Sequence, residues 1–169
     1  MMTTETQTHD SAAGATAAAA KPGKYMPTCP MGIQEIQRCI PHRYPFLLID
    51  RVLEAIPHEK IVSVRNVSFS DPILQGHFPG MPVYPGVMIV EAIAQAAAVL
   101  GHLSFEAGLS QCLLTEVQSA RFRRQVVPGD VLTFDVRVAK RRTPFFWFDT
   151  TAAVGSEIVA EVKLSAFIK

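Results

Sequence analysis

The sequence predicts an α+β fold in which one long helix lies against an antiparallel sheet. Three observations carry this. The segment from Gly86 to Leu103 is apolar almost throughout, so a helix there has protein on every side. The C-terminal third alternates with period two: Leu132, Phe134, Val136 and Val138 against Thr133, Asp135 and Arg137, then Ile158, Ala160, Val162, Leu164, Ala166 and Ile168 on one strand face. Turn chemistry at Pro128–Asp130 and around Gly155 and Ser156 lets consecutive strands join as hairpins.

Taken in order, residues 1–30 are of low complexity and low hydrophobicity, which predicts a disordered extension. Its "TAAAAK" stretch is no secretory signal, because Glu5, His9 and Asp10 stand where a basic start and a leucine-like run are needed. Residues 31–169 read as a single domain. In "MGIQEIQRCI", Ile33, Ile36 and Ile40 fall on one side of a short helix over Met31–Ile40, which Pro41 ends. "FLLIDRVLEAI" and "KIVSVRNVSF", parted by Pro57 and His58, read as a strand pair. Pro85 suits the first turn of the long helix, where a missing N–H costs nothing. About four strands follow.

A chain of 169 residues with 49% hydrophobic residues and net charge +1 fits one core and excludes a globally basic nucleic-acid binder. Cys29, Cys39 and Cys112 are too few and scattered for a disulfide framework or zinc site, and suit a reducing cytoplasm. Only the Gly86–Leu103 helix approaches the length of a membrane span, and Glu91 and Gln95 interrupt it, so no membrane span is expected.

Those two residues pose the functional question. Glu91 and Gln95 are one turn apart and share a helix face, with His102 in rough register. A buried carboxyl is costly unless paired, and the plain reading is a structural acid satisfied by an arginine or an amide. Two features favour chemistry instead. His77 sits in "GHFPG", a loop crowded with glycine and proline, and the helix start offers unpaired N–H groups at Gly86 and Val87. An acid, a base and an oxyanion site then fall within one short segment. The other histidines read as structural: His9 in the tail, His58 in a turn, His102 at a helix end, and His42 ordering a loop or an interface in "PHRYPF".

"QGHFPGMPVYPGVMIVEAIAQ", "IPHRYPFLLIDRV" and "ARFRRQVVPGD" together resemble 3-hydroxyacyl-[acyl-carrier-protein] dehydratases of the FabZ type, three stretches in family order across residues 40–130. The resemblance implies a hot-dog fold, its antiparallel sheet wrapped around the central helix. It implies conversion of (3R)-3-hydroxyacyl-[acyl-carrier-protein] to the trans-2-enoyl product, on a chain carried by the partner's phosphopantetheine. It also implies a homodimer, assembled as a trimer of dimers, with each site shared between subunits. Catalytic His77 and Glu91 then come from opposite chains, and the Gly86 amide binds the oxyanion. Met81 and Tyr84 depart from the family's loop. Glu91, where the related bifunctional isomerases have Asp, argues against isomerase activity.

The chemistry suits these groups by itself. Dehydration takes a proton from C2 and expels hydroxide from C3. A free imidazole titrates at ~6.5, which makes histidine, and so His77, a suitable type of base near neutrality. Glu91, if buried, stays protonated as the acid. Gln95 supports Glu91, and no metal or organic cofactor is required. Arg121, Arg123, Arg124, Lys140, Arg141 and Arg142 form a candidate cationic docking surface for acidic acyl carrier protein. Phe46, Tyr84, Met88 and Phe145–Phe148 are either tunnel walls or core. Rival readings are a hot-dog thioesterase and a non-catalytic carrier-binding subunit.

Overall fold

Helix α1 (Ile33–Cys39) opens where Glu35 Oε2 accepts the Gly32 N–H at 2.9 Å. The computed structural model describes residues 27–105 and 111–169; residues 1–26 of the expected tail lie outside them. Ile36 and Cys39 of α1 are buried, and Ile40 just after it. Ile33, expected beside them, is 43% exposed, since so short a helix buries only one side. Strands β1 (Arg51–Ile56) and β2 (Lys60–Asn66) form the expected hairpin, turning at His58 with φ 65°. Helix α2 (Gly86–Ser104) follows, then β3 (Cys112–Phe122), β4 (Val131–Arg142), β5 (Phe145–Val154) and β6 (Glu157–Ile168).

All pairings are antiparallel, in one six-stranded sheet of order β1-β2-β4-β5-β6-β3. The β4–β5 and β5–β6 connections are hairpins, with Gly155 at φ 58° in the second. The Pro128–Asp130 turn is not one. There Gly129 (φ 98°) donates to Val67 O at 2.9 Å and Val67 donates to Asp130 O at 3.0 Å, which directs the chain from the sheet edge to its middle. Among the described residues β3 therefore pairs only with β6, and its other edge is open.

The sheet wraps α2, and alanine makes that close: Ala92, Ala96 and Ala97 are fully buried and let the backbone approach Phe134, Phe148 and Leu164. By length and mean hydropathy (1.6) α2 could cross a membrane, but 67% of it is buried inside this fold, as a core helix is. Period two holds along β4, where Leu132, Phe134 and Val136 are fully buried. Along β6 it slips. Ala152 pairs with Ala160 and Ala153 with Ile158, leaving Val159 as the extra residue of a β-bulge. Val159 is buried and Ile158, expected inside, is 43% exposed.

His102, near the end of α2, is 8% exposed, and burial pushes its imidazole below the ordinary value. The unfolded chain then binds a proton that the folded chain resists. No penalty exists above the unfolded value of ~6.5, and it grows as pH falls below that towards the lower folded value. Urea midpoints should thus fall between pH 7 and 5, and fall less in His102→Gln.

Candidate active site

The loop before α2 is built to hold one imidazole. Phe78 N–H donates to Met81 O at 3.1 Å and Met81 N–H returns to Phe78 O at 3.0 Å, a tight turn that requires Gly80 at φ 77°. His77 is tied to Val83 twice. Val83 N–H donates to His77 O at 2.9 Å, and His77 Nδ1 lies 2.6 Å from Val83 O. A carbonyl only accepts, so Nδ1 carries the proton and Nε2 is left with the lone pair of a base. The ring stacks on Phe78 with centroids 4.1 Å apart. Tyr84 N–H donates to Val126 O at 2.7 Å and anchors the loop to the segment after β3.

Pro85 then caps α2. Its carbonyl accepts from Met88 at 3.0 Å and Ile89 at 3.3 Å, while the N–H groups of Gly86 and Val87 find no acceptor among the described residues. His77, Gly86 and Val87 line one open cavity of about 510 Å³ together with Phe122 and Arg124. His77 and the unpaired Gly86 N–H are therefore neighbours in one chain. A Cβ at Gly86 would lie 2.8 Å from the Phe122 ring, so glycine is what fits. Gly86→Ala should displace that ring and lower kcat/KM about 10- to 100-fold. Pairing it with Phe122→Ala should recover part of the loss, read from kcat/KM of the two variants and their combination.

Glu91 is elsewhere. It lines a smaller cavity of about 160 Å³ with His42, Gln95, Cys112, Leu113 and Leu114. The carboxyl expected to be wholly inside has a side chain 25% exposed, because the wall beside it is the open strand β3. Gln95, 1% exposed, spends every polar atom on this corner. Its Nε2 donates to Glu91 Oε1 at 2.9 Å and to Phe46 O at 2.8 Å, and its Oε1 accepts from Leu48 N–H at 2.9 Å. His42 Nε2 stands 3.7 Å from the same Glu91 Oε1. Both contacts fall on Oε1 and neither on Oε2. Cys112 is pushed up to about 11 by burial and by nearby Glu91, and remains a thiol at neutral pH.

Residues 40–163 match the family model of the FabA-like domain. "3-hydroxyacyl-[acyl-carrier-protein] dehydratase FabZ" of Caulobacter vibrioides is 45% identical over 138 residues, covering 80% of this chain and 87% of that protein. The protein of the same name from Nitratiruptor is 43% identical over 144 residues, covering 82% and 97%. The chain belongs to the FabZ dehydratase family. Among solved structures, the dehydratase heterocomplex ApeI:P of Xenorhabdus doucetiae has a TM-score of 0.68 at 19% identity, covering 79% of this chain and 90% of its own. A thioesterase of Pseudomonas aeruginosa has a TM-score of 0.63 at 15% identity, covering 87% and 97%. At such identities the likeness is one of fold, the hot-dog, alone.

In this FabZ chain the cationic residues do not make one patch. Arg123 and Arg124, just beyond β3, line the His77 cavity, whereas Arg121, near the end of β3, lines another cavity with Asp135, Arg137 and Asp149. Lys140, Arg141 and Arg142 lie at the other end of the sheet, where pairing runs Arg142–Phe145–Phe167–Leu113. Several are already engaged: Arg123 with Glu161, Arg124 with Asp130 and Glu157, Arg141 with His58, and Lys140 over the Trp147 ring. Of the aromatics, Phe146 and Phe148 are core, while Phe46, Tyr84 and Met88 line a separate cavity of about 340 Å³. His42, which the sequence lets order a loop or an interface, stands against Glu91 in the fold. Its motif "PHRYPF" was visible, but a contact between positions so far apart in sequence was not.

Proposed function

We propose that this protein dehydrates (3R)-3-hydroxyacyl chains on acyl carrier protein to trans-2-enoyl chains in fatty acid elongation. One observation carries the mechanism: His77 Nδ1–H is committed to Val83 O beside the free Gly86 N–H. His77 Nε2 takes the C2 proton while the Gly86 amide stabilises the thioester oxygen as it gains charge, a contribution of ~3 kcal/mol for one such donor. Glu91 Oε1 accepts from Gln95, so a proton carried by Glu91 rides on Oε2. That proton passes to the C3 hydroxyl, the C3–O bond breaks, and water leaves. Imidazolium and carboxylate then exchange protons with solvent to reset the site. Nothing in this sequence calls for a metal or an organic cofactor.

The two cavities favour a site completed by a second chain. β3 begins at the Glu91 cavity with Cys112, Leu113 and Leu114 and ends at the His77 cavity with Phe122. Its side chains from Leu113 to Phe122 are all exposed, among them Leu113, Leu114, Val117 and Phe122. Antiparallel pairing of two β3 edges sets the start of one against the end of the other. Each His77 then meets the other chain's Glu91, and Arg121, Arg123 and Arg124 join the other chain's Lys140, Arg141 and Arg142 as a carrier-docking rim. Exposed Phe69 (66%) and Met81 (60%) support further assembly into a trimer of dimers. Free cysteines suit the cytoplasm.

Hydration of a crotonoyl thioester, followed at the enoyl chromophore, tests the assignment. His77→Ala and Glu91→Gln should each lose about 10²- to 10⁴-fold in kcat. Wild-type-like turnover in either variant removes the mechanism, and release of free acid without enoyl product removes the dehydratase.

A further inference from the structure

We propose that His42 is a positioning residue for the Glu91 carboxyl, donating from Nε2 to Oε1, and that it works in the opposite tautomer from His77. The inference rests on the reading of Glu91 as the catalytic acid. His42 Nε2 lies 3.7 Å from Glu91 Oε1, beyond hydrogen-bond length and within ion-pair range. Catalytic hydrogen bonds of this kind tighten when substrate arrives. The other ring nitrogen, Nδ1, is buried with no partner among the described residues. A bare lone pair there is tolerable, whereas an N–H would be a buried donor without an acceptor. The proton therefore belongs on Nε2, facing Glu91. His77 shows the reverse: its Nδ1 faces the Val83 carbonyl, which can only accept.

The ring is held for this purpose from both sides. Arg43, the next residue, donates from Nη1 to Ile40 O at 3.0 Å and to His42 O at 2.7 Å, and from Nη2 to Gln37 O at 3.0 Å. This ties the His42 backbone to the end of α1. Gln95 ties Phe46 and Leu48, further along the same loop, to α2. The imidazole packs against Phe46 with centroids 6.3 Å apart and planes inclined by 26°. Gln95 Nε2 bonds Oε1, and His42 Nε2 faces the same oxygen. The carboxyl cannot rotate to exchange its oxygens without losing the Gln95 bond and turning Oε1 away from His42.

The tests use the full chain. Long-range ¹H–¹⁵N spectra of the unmodified protein should show His42 as the Nε2–H tautomer and His77 as the Nδ1–H tautomer. His42→Phe keeps a ring against Phe46 but removes the donor. It should lower crotonoyl hydration kcat about 10-fold, with KM nearly unchanged. His42→Gln, which restores an N–H at similar reach, should recover most of that loss. An Nδ1–H tautomer at His42, wild-type kcat in His42→Phe, or equal losses in the Phe and Gln variants overturns the proposal. The spectrum decides the tautomer even if a variant fails to fold. Glu91→Gln in parallel separates the two readings. If it is inactive while His42→Phe is fully active, only the role of His42 falls; if it is active, the acid assignment itself falls.

Discussion

Mixed in equal amounts and allowed to exchange subunits, inactive His77→Ala and inactive Glu91→Gln proteins should recover about a quarter of wild-type turnover. Random exchange makes half of the dimers mixed. In a mixed dimer one site combines the intact His77 of the Glu91→Gln chain with the intact Glu91 of the His77→Ala chain, and the other site has neither. The single chain motivates this expectation. His77 and Glu91 line different cavities, and no hydrogen bond or ion pair joins them. If both residues served the same chain, every site in every mixed dimer would lack one of them, and mixing would restore nothing. The measurement is crotonoyl hydration before and after exchange, with the unmixed proteins as controls.

Val117→Glu should remove activity without touching either cavity. Val117 lies near the middle of β3, is 43% exposed, and lines neither cavity. About a two-fold axis through an antiparallel strand pair, a central residue faces its own symmetry mate. Two carboxylates placed there oppose each other, and the pairing weakens. Because the residue is exposed in the single chain, the fold should survive, seen as an unchanged far-ultraviolet circular dichroism spectrum. Light scattering should show the monomer, and turnover should fall at least ~100-fold as the sites come apart. A fully active monomer would show that one chain is sufficient and would refute the shared site.

Much of this was legible in the sequence, for identifiable reasons. Gly86–Ser104 could be read because a helix enclosed by its own sheet is apolar all round. β4 could be read because one of its faces is core and the other is not. β3 resisted because between Leu113 and Phe122 neither face is buried, so no alternation marks it. The β6 face was misread at Ile158 since a single extra residue, Val159, exchanges inside for outside, and a bulge leaves no compositional trace. His77, Gly86 and Glu91 were found as a short motif, whereas the contact of His42 with Glu91 depends on how a distant loop folds back over α2. Glu91 was expected to be enclosed because its helix neighbours are, but its own face looks towards the sheet's open edge.

That open edge has a consequence for the life of the molecule before it ever turns over substrate. An eleven-residue strand with unpaired backbone groups and exposed Leu113, Leu114 and Val117 is a template for any other strand it encounters. With the proposed β3–β3 pairing, a newly synthesised chain must find its own kind before it finds a stranger, and yield in the cell depends on how fast like chains meet. Charged Glu116 and Arg121, interspersed along the strand, and Arg123 and Arg124 just beyond it act as gatekeepers against promiscuous stacking. Neutralising Glu116, which lines neither the His77 nor the Glu91 cavity, should show first as insoluble protein during expression, at concentrations where the folded enzyme is still fully active.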